Sequence, residues 1–147
     1  MTPLSVSIHK DLTLSLHGYS GIADLDNWAG TGKRLMDKMW KEVRALQLPN
    51  KGLNVWVYEE GSHMFAGVEL MTSPPPESTL EQKTVTLPRY AYHKHRGPYD
   101  AIVSTYAAAR EELKKVGIQP ILPYVEIYGH HHDDPAQQET ELLWSIK

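Results

Sequence analysis

Apolar and polar positions alternate with a period of two in several stretches of this chain and recur at helical spacing in two others. Leu12, Leu14 and Leu16 alternate with Thr13, Ser15 and His17, the pattern of a half-buried strand. Residues 4–8 have similar strand character, and Gly18-Tyr19-Ser20-Gly21 reads as the break that ends the run. Asp24 or Asp26 then offers a helix cap. Met36, Met39, Trp40, Val43 and Leu46 fall at helical spacing, with Lys38, Lys41, Glu42 and Arg44 on the other side. Pro49 to Gly52 ends that helix. Val55 to Tyr58 predicts a strand, Glu59 to Ser62 a hairpin turn, and Met64 to Met71 the return strand.

Residues 72–83, TSPPPESTLEQK, are proline-rich and polar and read as a linker. The order then recurs. Thr84 to His95 is strand-like and stops at Arg96-Gly97-Pro98. Tyr99, Ile102, Val103, Tyr106, Leu113 and Val116 make a helical stripe, with Gly117 where a C-terminal glycine belongs. Pro120 and Pro123 bracket a short loop, Tyr124 to Tyr128 is a strand, residues 130–138 a loop, and Glu139 to Ile146 the closing strand. The expected fold is α+β: one domain over residues 1–147, built of two βαββ repeats, 1–71 and 84–147, joined by 72–83.

Against that repeat, one exchange stands out. Val55-Trp56-Val57-Tyr58 in the first copy corresponds to Val125-Glu126-Ile127-Tyr128 in the second. A carboxylate inside an apolar strand is unfavourable unless something pairs with it. Alternate strand residues point to opposite faces. Val55, Val57, Val125 and Ile127 are expected to face the helices, and Trp56, Tyr58, Tyr124, Glu126 and Tyr128 to line an uncovered face. Aromatic rings around one carboxylate suit a flat, apolar, positively charged molecule, held by stacking, cation–π attraction and charge.

Composition narrows the classes. The chain has 147 residues, 41% hydrophobic and 22% charged, enough for one globular core. A net charge of −3 argues mildly against nucleic acid as a partner, which needs a basic footprint. There is no cysteine, so disulfides, thiolate metal sites and thiol nucleophiles are excluded, in keeping with a cytoplasmic location. No apolar run has the length of a membrane span, and the first ten residues lack the apolar core of a signal peptide. His130-His131-His132 followed by Asp133-Asp134 invites a metal, but three consecutive imidazoles cannot all face one ion, so the segment reads as a solvated loop. Neither a phosphate-binding glycine loop nor a Ser-His-Asp signature is present, and no cofactor is expected.

Leu87-Pro88-Arg89-Tyr90-Ala91, His95-Arg96-Gly97-Pro98-Tyr99, Val125-Glu126-Ile127-Tyr128, Asp134-Pro135 and the terminal strand, with Gly67-Val68-Glu69 in the first half, occur in an order that resembles the GyrI-like small-molecule-binding domain. This is also the effector-binding domain of AraC- and MerR-type multidrug regulators. The resemblance covers nearly the whole chain. It implies two βαββ units related by a pseudo-twofold axis, an antiparallel sheet and a ligand cleft between the halves. It places the family's ligand-binding glutamate at Glu126, with lipophilic cations as ligands. Some stand-alone relatives hydrolyse electrophilic cyclopropane genotoxins, and others inhibit DNA gyrase. No helix-turn-helix accompanies the domain here, so the chain alone is not expected to bind DNA.

Each candidate has a plainer alternative. Glu126 is either a ligand carboxylate (or a base) or a structural carboxylate bonded to a nearby tyrosine. Trp56 and Tyr128 are cleft walls or ordinary packing, and Trp28 covers the cleft entrance or lies near the helix start without contacting ligand. Tyr92 reaches the cleft by strand parity with Tyr90 and Lys94, while His93 and His95 face the helix as satisfied histidines. Glu69 is a second carboxylate or a solvated strand residue. The expected partner is a lipophilic or cationic small molecule; a protein partner is left open. Binding, hydrolysis and gyrase inhibition rank in that order.

Overall fold

The computed structural model describes residues 5–24, 26–130 and 132–147. Leu4 and His131, which entered the strand and metal readings, lie outside them. The elements are β1 (Ser7–Ile22), α1 (Trp28–Ala45), β2 (Asn54–Tyr58), β3 (His63–Val68), β4 (Glu81–Arg96), α2 (Ile102–Lys115), β5 (Pro120–Tyr128) and β6 (Glu139–Ile146). The fold is α+β, and the order β-α-β-β occurs twice. The chain divides into two compact units: Thr13–Thr86, and the described residues up to Leu12 together with Leu87–Lys147. Among the described residues no helix is long and apolar enough to cross a membrane.

In the Thr13–Thr86 unit, β3 pairs antiparallel with both β1 and β2. The cap of α1 is Asn27, whose side-chain oxygen accepts from the Gly30 N–H at 3.0 Å. It is neither of the two expected aspartates; the Asp24 carboxylate instead accepts from the Asp26 N–H. Leu35, Met39 and Val43 are the buried stripe of α1. In the other unit β6 is central, paired antiparallel with β4 and β5. Ile102, Ala109 and Leu113 of α2 close over Ala91, Leu142, Trp144 and Ile146.

Three expectations are corrected. Gly18 to Gly21 does not break the first strand, because β1 runs on to Ile22. Gly18 stands opposite Gly67, and a β-carbon there would lie 1.9 Å from the Ala66 carbonyl oxygen. The glycine serves close approach of two strands, which in sequence looks the same as a turn. Pro120 to Pro123 is not a loop either: β5 begins at Pro120, with an irregularity of register between Ile121 and Tyr124.

The third correction concerns faces. The stripe Trp56, Tyr124, Glu126, Tyr128 does share one parity, but it faces the helices. A β-carbon on Gly32 of α1 would lie 2.4 Å from the Trp56 ring, so this indole lies directly against α1. Tyr124 and Tyr128 pack on the core cluster beneath α2. Val55, Val57 and Val125, on the other parity, are buried as well. With both faces buried, hydrophobicity alone does not tell which one meets the helix.

Candidate functional site

Glu126 stands on β5 opposite Leu142 of β6, which in turn is opposite His93 of β4. Leu142 belongs to the cluster under α2, so Glu126 points to that side. The residue is 4% exposed. Tyr106, one turn into α2, donates its hydroxyl to Oε2 at 2.6 Å. Tyr128, two residues along the strand, donates to Oε1 at 2.5 Å. Hydrogen bonds to an ionised acceptor are short and strong, and these two offset part of the desolvation of the carboxylate.

Aromatic rings enclose this group. Tyr106 lies edge-on to Trp144 at 5.4 Å and tilted to Tyr124 at 6.2 Å. Tyr128 meets Tyr99 edge-on at 5.4 Å. Tyr99, itself 50% exposed, opens the short 3-10 turn that leads into α2, and partial desolvation raises its phenol above the ordinary value. The start of α2 is tied to the sheet by His95, which is buried as a satisfied histidine. Its Nε2 donates to the Pro98 carbonyl at 3.1 Å, and its Nδ1 lies 2.8 Å from the Thr105 hydroxyl. Beside Tyr106, a shallow dent lined by Leu113, Pro120, Tyr124 and Trp144, with Arg110 among its lining residues, has room for about one water.

Of the residues singled out from sequence, Glu126, Tyr124 and Tyr128 come together here. Tyr92 belongs to the same unit but lies opposite Leu143, on the other face of the sheet. Its hydroxyl donates to Glu141 at 2.7 Å; burial first, and then this bond, raise its pKa. Trp56, Tyr58, Trp28 and Glu69 belong to the Thr13–Thr86 unit. Trp56 is 8% exposed beneath α1. Trp28 and Tyr58 touch, ring centroids 5.5 Å apart. Glu69 follows β3 and forms an ion pair with Lys51 at 2.9 Å. Trp40 is half-buried, with its indole N–H bonded to the Asn54 side chain.

The two repeats thus place the same features differently. Trp28–Tyr58 and Tyr99–Tyr128 each set an aromatic ring at a helix start against the tyrosine that ends the next strand. Beneath the helix, the first repeat pairs an indole with a glycine, and the second pairs a carboxylate with a phenol.

Tyr106, Tyr99, Trp144 and Thr140 also belong to the surroundings of Glu126, and none was expected there. Tyr99 and Tyr106 are seven residues apart, a helical spacing in the sequence, although Tyr99 lies in the turn that precedes α2. That spacing was visible, but it reads equally well as core. Among the described residues no group of three or more His, Asp or Glu is placed to hold a metal. His132 instead accepts from the Asp134 N–H, and Asp134 caps the turn at Pro135–Gln137.

No protein-family model and no curated protein matches this sequence. Solved structures do. The C-terminal domain of EcmrR superposes with a TM-score of 0.72 at 15% identity, over 97% of this chain and 97% of its own. SAV2435, solved bound to tetraphenylphosphonium, gives 0.65 at 16% identity, over 98% of this chain and 94% of its own. A hydrolase from Listeria innocua gives 0.61 at 12% identity, over 99% and 94%. Identities this low speak to the fold alone: the chain shares the fold of these structures, which include a regulator's C-terminal domain, a protein solved with a lipophilic cation and a hydrolase.

Proposed function

We propose that this chain binds lipophilic, cationic or planar small molecules, sensing or sequestering them, with Glu126 as the counter-charge and Tyr124 and Tyr128 as walls. One observation carries the reading: a carboxylate 4% exposed, held by phenol hydroxyls and surrounded by aromatic rings. A buried charge is a poor way to stabilise a core, since well-packed apolar residues in its place are often neutral or better. The first repeat has such a replacement, Trp56 against Gly32. A cation arriving at Glu126 gains attraction in a low-dielectric setting and about 0.5–2 kcal/mol for each ring face it meets. SAV2435, of the same fold, was solved with such a cation.

The experiment is titration of tryptophan fluorescence with tetraphenylphosphonium and with a neutral planar dye, in wild type and Glu126→Gln. Trp144, in edge contact with Tyr106, is a suitable reporter. The expected outcome is at least tenfold weaker binding of the cation in the variant, with the neutral dye unaffected. Equal affinity of both proteins for the cation overturns the reading.

A second reading rests on the tyrosine hydroxyls at 2.5 and 2.6 Å from Glu126. In hydrolysis of an electrophilic strained ring, Glu126 takes a proton from water as its oxygen bonds to the electrophilic carbon. The ring bond breaks, and the carbon that keeps its electron pair takes the phenol proton. Return of the proton from Glu126 to the phenolate restores both groups. Mass spectrometry of a cyclopropane-containing electrophile distinguishes this reading: water is added by wild type and not by Glu126→Gln, whereas a receptor returns the compound intact.

A further inference from the structure

Thr140 lies on β6 between Tyr128 on one side and His95 on the other. It shares strand parity with Leu142, Trp144 and Ile146, the floor beneath α2, so its side chain is on the face that carries Glu126. The residue is 0% exposed, and its hydroxyl has no hydrogen-bond partner among the described residues. Its neighbours are satisfied: His95 by Thr105 and Pro98, Tyr128 by its bond to Glu126. Valine has the shape of threonine without the hydroxyl and suits a buried strand better, because an unmade buried hydrogen bond is unfavourable. A buried hydroxyl without a partner among the described residues is the observation on which a role in binding rests.

Glu126 is the diagonal neighbour of Thr140 across the β5–β6 pair, two residues along from Tyr128. Such neighbours are roughly 7 Å apart between strands, within reach of one small polar group and the atom next to it. Resting on the reading of Glu126 as a ligand carboxylate, we propose that Thr140 is a second polar contact of that site. The ligands it selects are lipophilic cations that carry a neutral hydrogen-bonding group, such as a hydroxyl, within a few bonds of the charge. The charge sits against Glu126 and the hydroxyl meets Thr140. A purely hydrocarbon cation leaves Thr140 unsatisfied.

The test uses a matched pair of probes, ethyltriphenylphosphonium and (2-hydroxyethyl)triphenylphosphonium, titrated into the full chain by calorimetry. Wild type is expected to prefer the hydroxyethyl probe by about tenfold, the scale of one net hydrogen bond in a buried site. Thr140→Val abolishes the preference while keeping its affinity for the ethyl probe, and Thr140→Ser restores the preference. Thr140→Val also keeps or raises the melting temperature. No preference in wild type, or a preference that survives in Thr140→Val, overturns the assignment of Thr140 alone. Unchanged affinity of Glu126→Gln for the ethyl probe overturns instead the reading on which it rests.

Discussion

His17 and Glu126 show two outcomes of burying an ionisable side chain. Nδ1 of His17 is buried with no partner among the described residues, and desolvation holds its pKa below the ordinary 6.5. The unfolded chain therefore binds the proton more readily, and folding favours the neutral ring. That contribution is fully present above pH 6.5 and is lost as pH falls below it. His17→Gln should flatten the decline of stability over that acid range, measured as urea midpoints at a series of pH values; an unchanged slope argues against burial as the cause. At Glu126 the hydroxyls of Tyr106 and Tyr128 take the place of water. Tyr106→Phe should lower stability by about 1.5–3 kcal/mol, the range for a hydrogen bond to a charged group, read from denaturant unfolding. A carboxylate within an apolar strand is visible in the sequence, so Glu126 was legible. The hydroxyl that satisfies it comes from a helix residue twenty positions away, and nothing in the strand names that residue.

At the scale of elements, periodicity identified both helices and the strands among the described residues, but it read the single strand β1 as two runs, 4–8 and 11–17, and it misplaced boundaries where glycine and proline have two uses. Gly18 lies inside β1 because Gly67 approaches it across the pair. Gly18→Ala forces its β-carbon onto the Ala66 carbonyl, a backbone atom that yields only with its strand. The expected loss is about 1–3 kcal/mol or more, in line with overpacking of a tight core, and is checked by urea denaturation. Gly32 has the same relation to Trp56, with a side-chain ring as the obstacle. The alternation of β2 put Trp56, and that of β5 put Glu126 and Tyr128, on a single parity, and within its own unit each strand turns that parity to the helix. Alternation gave no direction to that parity, because the valines of the opposite parity are buried too.

At the scale of the molecule, residues distant in sequence complete the unit that contains Leu87–Lys147. Val6 packs against the cluster beneath α2, Ser5 accepts from His93 at 2.7 Å, and His9 stacks on Tyr90 with centroids 5.5 Å apart. A chain that begins at Lys10 loses these contacts and is expected to unfold at lower temperature, with a deficit of about 2 kcal/mol from the valine alone. An unchanged melting temperature would show that they contribute little. The sequence by itself determined the α+β class, the doubled βαββ order and the position of a carboxylate too apolar in its surroundings to be ordinary. These depend on the spacing of neighbours along the chain, which periodicity records. Only the tertiary structure decided that Glu126 faces α2, that Tyr106 and Tyr128 hold it, and that the hydroxyl of its diagonal neighbour Thr140 has no partner among the described residues. Those facts depend on which sheet face a helix covers and on the register between strands, and both are set by long-range packing.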